Sequence, residues 1–365
     1  MVQHEAHPND TCSDGHCFEM SCPENARYLT NAGCQHSPAN AIGSRDEAVR
    51  WCDEALAVVE AELAKMIASV DRRCRWDVYT GLGGYALMYL RLSESEAAGR
   101  GRAEALLGKA RVCVDLAMRL CGDDPKAESL LCGPLGIFAI AAVVLARQGD
   151  RTSAAAHVAK IRQALRSGVQ EPQATSDELL YGRAGWLTVA LFVNAHLDPA
   201  LRVEDDVLRP IVAAILAKGE RTAATEPRAP SDPTWTLLFR WHGKAYLGAA
   251  HGTAGIVQTL LCRPDLLPPG GLALLHKTIH ELIDAATANG GHLPSSLHST
   301  PSSSGRLVQW CHGSPGFCLM LCRACAVFKD DPELLNQARI AANMTWKRGL
   351  LRKGVVCSFF LLQIN

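Results

Sequence analysis

The sequence has no excess of charge of either sign. Lys plus Arg and Asp plus Glu each number 37 in its 365 residues, so the formal net charge at pH 7 is zero. A partner such as nucleic acid is attracted by a surface rich in one charge, and the chain offers no basic stripe. We therefore expect no nucleic-acid ligand.

Long apolar runs are also missing. The longest, GPLGIFAIAAVVLA at 133–146, is shorter than the ~20 residues that cross a bilayer, so it predicts a buried helix. The start shows no basic segment followed by an apolar one, and Val2 stands where N-myristoylation requires glycine. The 15 cysteines are too scattered for a small disulfide scaffold. These features predict a reduced cytoplasmic protein without a transmembrane segment, and they leave peripheral association with the plasma membrane open.

Signals of several enzyme classes are absent. Kinase, Walker and dinucleotide fingerprints are missing, since GLGG and GRAG open helices with no strand before them. Among proteins with helical toroids, a glycosidase would need paired carboxylates at several turns, and only Asp177 and Glu178 form such a pair. A prenyltransferase would need an aromatic funnel, whereas aromatic residues make up 6% of this chain.

What the sequence does contain is an internal repeat. Five Gly-x-x-Gly motifs each open an apolar segment, and they stand at Gly81/Gly84, Gly133/Gly136, Gly182/Gly185, Gly252/Gly255 and Gly313/Gly316. The spacings of 52, 49, 70 and 61 residues leave room for one return helix each, at 103–119, 151–166, 204–217 and 270–288. Strand signals are nearly absent. The pattern predicts an all-α protein, an α/α toroid of inner and outer helices that is incomplete at its C-terminal end.

The repeat also divides the chain. Residues 1–45 mix Pro, Cys, His and turn formers without a period, which predicts a flexible N-terminal tail that is dispensable to the fold. Ser44 followed by acidic residues then marks a helix N-terminus. We expect the partial toroid at 46–353 and a divergent C-terminal end at 354–365.

The residues before the glycine turns form the candidate site. In a toroid these turns face one end, so the preceding residues line a common mouth; they are Thr80, Cys132, Tyr181, His251, Cys311 and His312, with Asp177 and Glu178 one turn upstream of Tyr181. Thiolate sulfur and imidazole nitrogen are the ligands that Zn²⁺ prefers. The mouth is therefore a candidate zinc site.

Four motifs carry a family resemblance. YTGLGGYALMYL, DELLYGRAGW, YLGAAHGTAGI and LVQWCHGSPGF resemble the lanthionine synthetase C-like (LanC-like) family. The resemblance implies an α/α toroid with zinc at its centre. It also implies glutathione as a co-substrate, whose thiol is added to dehydrated peptides or proteins.

The resemblance further implies the acid–base residues. His251, in the Ala-His-Gly motif, corresponds to the acid that protonates the enolate formed when a thiolate attacks the dehydroamino acid. Asp177 and Glu178 are the carboxylates available to orient it or to balance its charge. A histidine buried against a backbone carbonyl is the structural alternative for His251.

The metal ligands match the family only in part. Cys311 corresponds to the first zinc cysteine, His312 is not a ligand in the family, and Lys353 corresponds to a lysine that holds glutathione. Where a second Cys-His pair is needed, Cys357 stands one residue early and Ser358 replaces the histidine. Zinc sites need at least three protein ligands, so we expect weak or absent zinc binding and impaired thiol addition. The alternative is a non-catalytic module that binds glutathione or a protein.

Overall fold

The computed structural model describes residues 20–21, 30–31, 45–70, 74–95, 99–122, 129–169, 176–227, 234–299 and 307–349, to which the structural statements below refer. The predicted Lys353 and Cys357 lie outside these residues, as does most of the predicted tail. The helices are α1 Arg45–Ala68, α2 Leu82–Ser93, α3 Gly99–Cys121, α4 Pro134–Arg147, α5 Arg151–Val169, α6 Arg183–His196, α7 Asp205–Thr225, α8 Thr253–Leu260, α9 Gly271–Ala288, α10 Ser314–Val327 and α11 Pro332–Arg348.

The helices from α2 onward alternate between two layers. The even-numbered helices α2 to α10 each begin directly after the first glycine of a Gly-x-x-Gly motif, and successive even-numbered helices pack against one another. Each is also packed against the odd-numbered helix that follows it, from α3 to α11. This arrangement of inner and outer helices confirms the all-α, α/α toroid fold that the repeat predicts.

Burial follows the two layers. In the inner helix α4 every residue from Pro134 to Leu145 is buried, whereas the outer helix α3 buries one stripe that contains Leu106, Cys113 and Val114. A helix that is apolar on every side is stable only inside a structure, and each fully buried Leu, Ile, Val or Phe contributes about 1.5–3 kcal/mol. The apolar content of the inner segments therefore fixes which layer lies inside.

Three outer helices, α3, α5 and α7, extend beyond the ends that the sequence predicts. Helix α7 continues to Thr225, although its predicted segment ends at residue 217 where the sequence turns polar. The N–H of Leu238 donates to the carbonyl of Gly219 at 3.2 Å, and a Cβ at Gly219 would lie 2.7 Å from the ring of Phe239. The chain after α7 thus packs on the helix and holds its last turns in place.

Short strands form two small antiparallel pairs. Strands β1 (Met20–Ser21) and β2 (Thr30–Asn31) pair within the region predicted as a tail, and β2 lies beside α11. Strands β3 (Arg240–Trp241) and β4 (Lys244–Ala245) form a hairpin whose two loop residues both have positive φ angles. That geometry is the usual two-residue hairpin turn. Among the described residues, no helix has the length and apolar character that a bilayer crossing requires.

Candidate functional site

The five glycine turns share one tight packing geometry. In each turn, a Cβ on the second glycine would run into the carbonyl oxygen of the residue six positions earlier; these pairs are Gly84 with Val78, Gly136 with Leu130, Gly185 with Leu179, Gly255 with Ala249 and Gly316 with Trp310. The approach is closer than any side chain allows. The loop before each inner helix is therefore folded back onto the first turn of that helix.

Hydrogen bonds join neighbouring turns into an arc. The N–H of Tyr79 donates to the carbonyl of Leu131 at 2.9 Å, and the hydroxyl of Ser129 donates to the carbonyl of Leu180. Further along, the N–H of Leu179 donates to Ala250 at 3.0 Å. The segments before the inner helices thus gather at one end of the helical layer and form the predicted mouth.

A hydrogen bond joins His251 and Glu178 in this mouth. Nδ1 of His251 lies 2.7 Å from Oε2 of Glu178, whose side chain is buried. The carboxylate also accepts hydrogen bonds from the backbone N–H groups of Leu180 and Tyr181, so it is fixed in place. Because Nδ1 is engaged, Nε2 remains as the ring nitrogen that can exchange a proton with a ligand. With 20% of its side chain exposed, His251 is accessible from the mouth.

Aromatic rings surround His251. Trp241 stacks on the imidazole with a centroid distance of 5.9 Å, and Tyr246 lies 5.8 Å from it on a tilted plane. Tyr181 in turn stacks on Trp241 at 5.8 Å. These rings can cover the apolar part of a bound ligand and exclude water from the imidazole.

His312 approaches His251 from the next turn. The ring centroids are 6.3 Å apart, and Nδ1 of His312 is buried without a hydrogen-bond partner among the described residues. Burial, and secondly the nearby His251, lower the pKa of His312 below its ordinary value. His312 is therefore neutral at pH 7, with an unsatisfied ring nitrogen.

Two further residues of the mouth keep their protons. Burial raises the pKa of the Cys132 thiol to about 11. The charge of an ionised Cys132, together with burial, raises the pKa of Tyr181 to about 12. At neutral pH neither group is an anion, so the Tyr181 hydroxyl acts as a hydrogen-bond donor rather than as a base.

Asp177 lies beside Glu178 in sequence but has different partners. Its buried carboxylate lies 2.6 Å from the guanidinium of Arg183, which is also buried, and 3.6 Å from Nζ of Lys218. Arg183 begins the inner helix α6, and Lys218 belongs to the outer helix α7. The structure thus gives Asp177 the contacts of a residue that joins two helices, and gives Glu178 the contact with His251.

Comparisons with known proteins agree with this architecture. The family model described as lanthionine synthetase C-like protein matches residues 74–357. The chain belongs to the lanthionine synthetase C-like family. LanC-like protein GCL1 from Arabidopsis thaliana is 34% identical over 283 residues, which are 76% of this chain and 61% of that protein. The chain thus spans less than two thirds of that relative's length.

A solved structure shows the same fold. Nisin cyclase superimposes with a TM-score of 0.55 at 18% sequence identity, and the match covers 80% of this chain and 76% of that one. At this identity the likeness shows the α/α toroid alone. Family membership and fold thus agree for this LanC-like chain.

Cys311, the predicted zinc ligand of this LanC-like chain, follows the hydrogen-bonded arc. Its carbonyl accepts from the N–H of Ala250 at 3.4 Å, and its Sγ lies 3.5 Å from Oε1 of Gln309. Within the part of the chain that the structure describes, no group of three His, Cys, Asp or Glu side chains close enough to share an ion includes Cys311. The described residues therefore do not make up a zinc site at this position.

A separate cavity is lined by none of the residues that form the mouth. Its volume is about 680 Å³, and its lining includes Arg162, Arg263 and Arg323. Arg162 is paired with Glu204, and Arg263 is paired with Asp205. These ion pairs neutralise much of its positive charge, and the LanC-like motifs lie at the mouth instead. We therefore place the candidate site of this LanC-like chain at the mouth.

Trp241 and Tyr246 are site residues that sequence reasoning missed. Both lie in or next to the β3–β4 hairpin, between two repeats and outside the repeat register. The sequence RWHGKAY does carry a hairpin signal, because His-Gly can form a two-residue turn between short segments in which apolar and polar residues alternate. An alternating pattern of only four residues is too short to predict where the ring of Trp241 lies in the folded protein.

Asp177 and Glu178 should respond differently to loss of charge. We expect Asp177→Asn to lower the free energy of unfolding by about 2 kcal/mol, because a charged hydrogen bond to the buried Arg183 is lost. Glu178→Gln should instead lower activity. Urea unfolding of both variants checks the first expectation. An unchanged midpoint for Asp177→Asn would contradict the helix-joining role.

Proposed function

We propose that this protein adds a thiol, that of glutathione by family resemblance, to dehydroamino acids in peptides, with His251 as the proton donor. The observation that carries the proposal is the 2.7 Å pair of His251 and Glu178 among the rings of the mouth. A general acid has to be oriented and close to the bound substrate, and the pair supplies both. Glu178 is a positioning residue, because it acts through His251.

The reaction needs one proton to leave and one to arrive. The thiol gives its proton to solvent, and the resulting thiolate is the nucleophile. The sulfur then forms a bond to Cβ of the dehydroamino acid while the carbon–carbon π bond breaks. The electron pair moves to the enolate, and His251 delivers a proton to Cα. His251 then regains a proton from solvent, so the net reaction is an addition without a redox change.

The aromatic rings give the mouth its binding role. Tyr181 and Trp241 are stacked, and Tyr181 is 45% exposed, so its face is open to a peptide. Stacked rings bury apolar surface at low entropic cost, and the Tyr181 hydroxyl can donate a hydrogen bond to a peptide carbonyl. The name of the fold neighbour, nisin cyclase, supports a peptide as substrate.

Zinc is not a step in this proposal. The described residues do not provide its ligands at Cys311, and the prediction of weak or absent zinc binding there stays a prediction. None of the described cysteines forms a disulfide, which supports the proposal of a reducing, cytoplasmic setting.

A non-catalytic module is the second candidate function. In the sequence, Ser358 stands where the family resemblance requires a histidine, and this favours it. Such a module would bind glutathione or a peptide at the same rings without forming a new bond. Binding and turnover therefore need separate measurements.

Product stereochemistry tests the enzyme proposal. Uncatalysed addition protonates Cα from both faces, whereas a fixed imidazole delivers the proton to one face. We expect the full chain, incubated with glutathione and a dehydroalanine peptide, to give one predominant diastereomer on chromatography. Zinc content is measured on the same sample, with Cys311→Ala as the comparison. Peptide binding without product, or an equal mixture of diastereomers, would support the module instead.

A further inference from the structure

A second cluster of metal-ligating side chains lies on the outer layer. His276 and His280 are one helical turn apart on α9, and they face Asp331, which precedes α11. Residues four apart on a helix share a face, so both imidazoles reach the same point. Glu333, in the first turn of α11, lies beside them.

The donor atoms of this cluster converge on one oxygen. Nε2 of His276 and Nε2 of His280 each lie 2.8 Å from Oδ2 of Asp331. The donor atoms of the three residues all fall within 4.8 Å of one another. In a tetrahedral site with bonds near 2.1 Å the donors stand about 3.4 Å apart. Small side-chain rotations would therefore open the cluster to an ion.

Neighbouring groups hold the donors in this geometry. The other oxygen of Asp331 accepts a hydrogen bond from the N–H of Glu333 at 3.1 Å, which caps α11. The ring of Phe328 packs 4.5 Å from that of His276. Oε2 of Glu333 lies 3.4 Å from Nδ1 of His280, the nitrogen that would not bind metal. A carboxylate at that nitrogen is the usual outer partner of a metal-bound histidine.

We propose that His276, His280 and Asp331 bind a divalent transition-metal ion, with Zn²⁺ as the ion tested. Two imidazoles and a carboxylate suit Zn²⁺ and leave one position for water. The side chains are partly exposed, so an ion can enter without unfolding.

This site is separate from the mouth. Cys311 lies before the start of α10, and Asp331 lies after its end. The 14 residues of α10 span about 21 Å, so the length of this helix separates the two sites. The ion would join the outer helix α9 to the helical hairpin that α10 and α11 form. Its effect is therefore a gain in stability of that hairpin, independent of the thiol-addition proposal.

Zinc titration of the full chain tests the site. Metal-stripped protein is titrated with Zn²⁺, and bound metal and melting temperature are measured for wild type, His280→Gln and Asp331→Asn. Asparagine is as good a helix cap as aspartate, so Asp331→Asn removes the charge and keeps the cap. We expect wild type to melt a few degrees higher with Zn²⁺. Both variants should bind at least about tenfold more weakly and show no zinc-dependent shift.

Two controls separate this site from other metal-binding groups. His298→Gln removes an exposed histidine that pairs with Glu226, and it should keep the zinc-dependent shift. Cys311→Ala should keep it as well, because the mouth is a separate site. Each zinc-dependent shift is the difference between the melting temperatures of the same variant with and without Zn²⁺. A loss of stability caused only by losing the hydrogen bonds of Asp331 therefore does not change the shift. Equal zinc affinity and equal shifts in wild type and Asp331→Asn would overturn the proposal.

Discussion

Gly255→Ala is expected to lower the free energy of unfolding by about 3 kcal/mol or more, at the upper end of overpacking effects. The added Cβ would overlap the carbonyl oxygen of Ala249 and lie 2.8 Å from its carbonyl carbon. Both atoms belong to the backbone, so no side-chain rotation relieves the contact. The loop before α8 would have to move, and it carries the N–H of Ala250 and the ring of His251. A drop in melting temperature of roughly 6–12 °C is the expected measurement.

Gly108→Ala is the matched control for this prediction. Gly108 lies inside the outer helix α3, and a Cβ there would meet nothing within 4 Å. Alanine is favoured over glycine in a helix interior by about 0.5–1 kcal/mol, so this variant should be slightly more stable than wild type. Equal melting temperatures for the two variants would mean that the glycine turns do not need the close approach that the structure shows.

His251→Asn is expected to reduce the rate of thiol addition by about 10²–10⁴-fold, because a positioned proton donor contributes that much. The peptide should still bind, since the rings of Tyr181 and Trp241 remain. KM should therefore change little while kcat falls. The product that does form should be a mixture of diastereomers, because solvent then protonates Cα from both faces.

His242→Asn controls for damage to the hairpin beside the site. His242 has a φ angle of 46°, which asparagine tolerates well, and its ring packs on Trp241 at 4.3 Å. This variant should keep the rate and the single diastereomer. Glu178→Gln should fall between wild type and His251→Asn, since the glutamine oxygen can still orient Nδ1. A His251→Asn variant with the wild-type rate would rule out the imidazole as proton donor.

The sequence by itself determined the fold. Each inner segment is apolar on every side and begins with Gly-x-x-Gly, while each outer segment is apolar on one stripe. The pattern of apolar residues along a helix can be read from consecutive residues. The sequence alone therefore predicts that α4 lies inside and α3 outside. The repeat register also predicts that His251, Tyr181 and Cys311 lie at the same end of the helices.

Only the tertiary structure decided between Asp177 and Glu178. The two carboxylates are adjacent in sequence, and either could orient a histidine 73 or 74 residues away. The fold turns Glu178 toward His251 and buries Asp177 against Arg183. Side chains of neighbouring residues point in different directions, and the partners that each one meets come from distant segments.

The same reason applies to the aromatic rings and the outer metal site. Trp241 reaches His251 from a hairpin between repeats, and Asp331 reaches His276 from 55 residues along the chain. Local period carries no information on such contacts, because they depend on how helices and loops pack against one another. The sequence thus determined which helices lie inside, and the packing of distant segments decided which side chains meet.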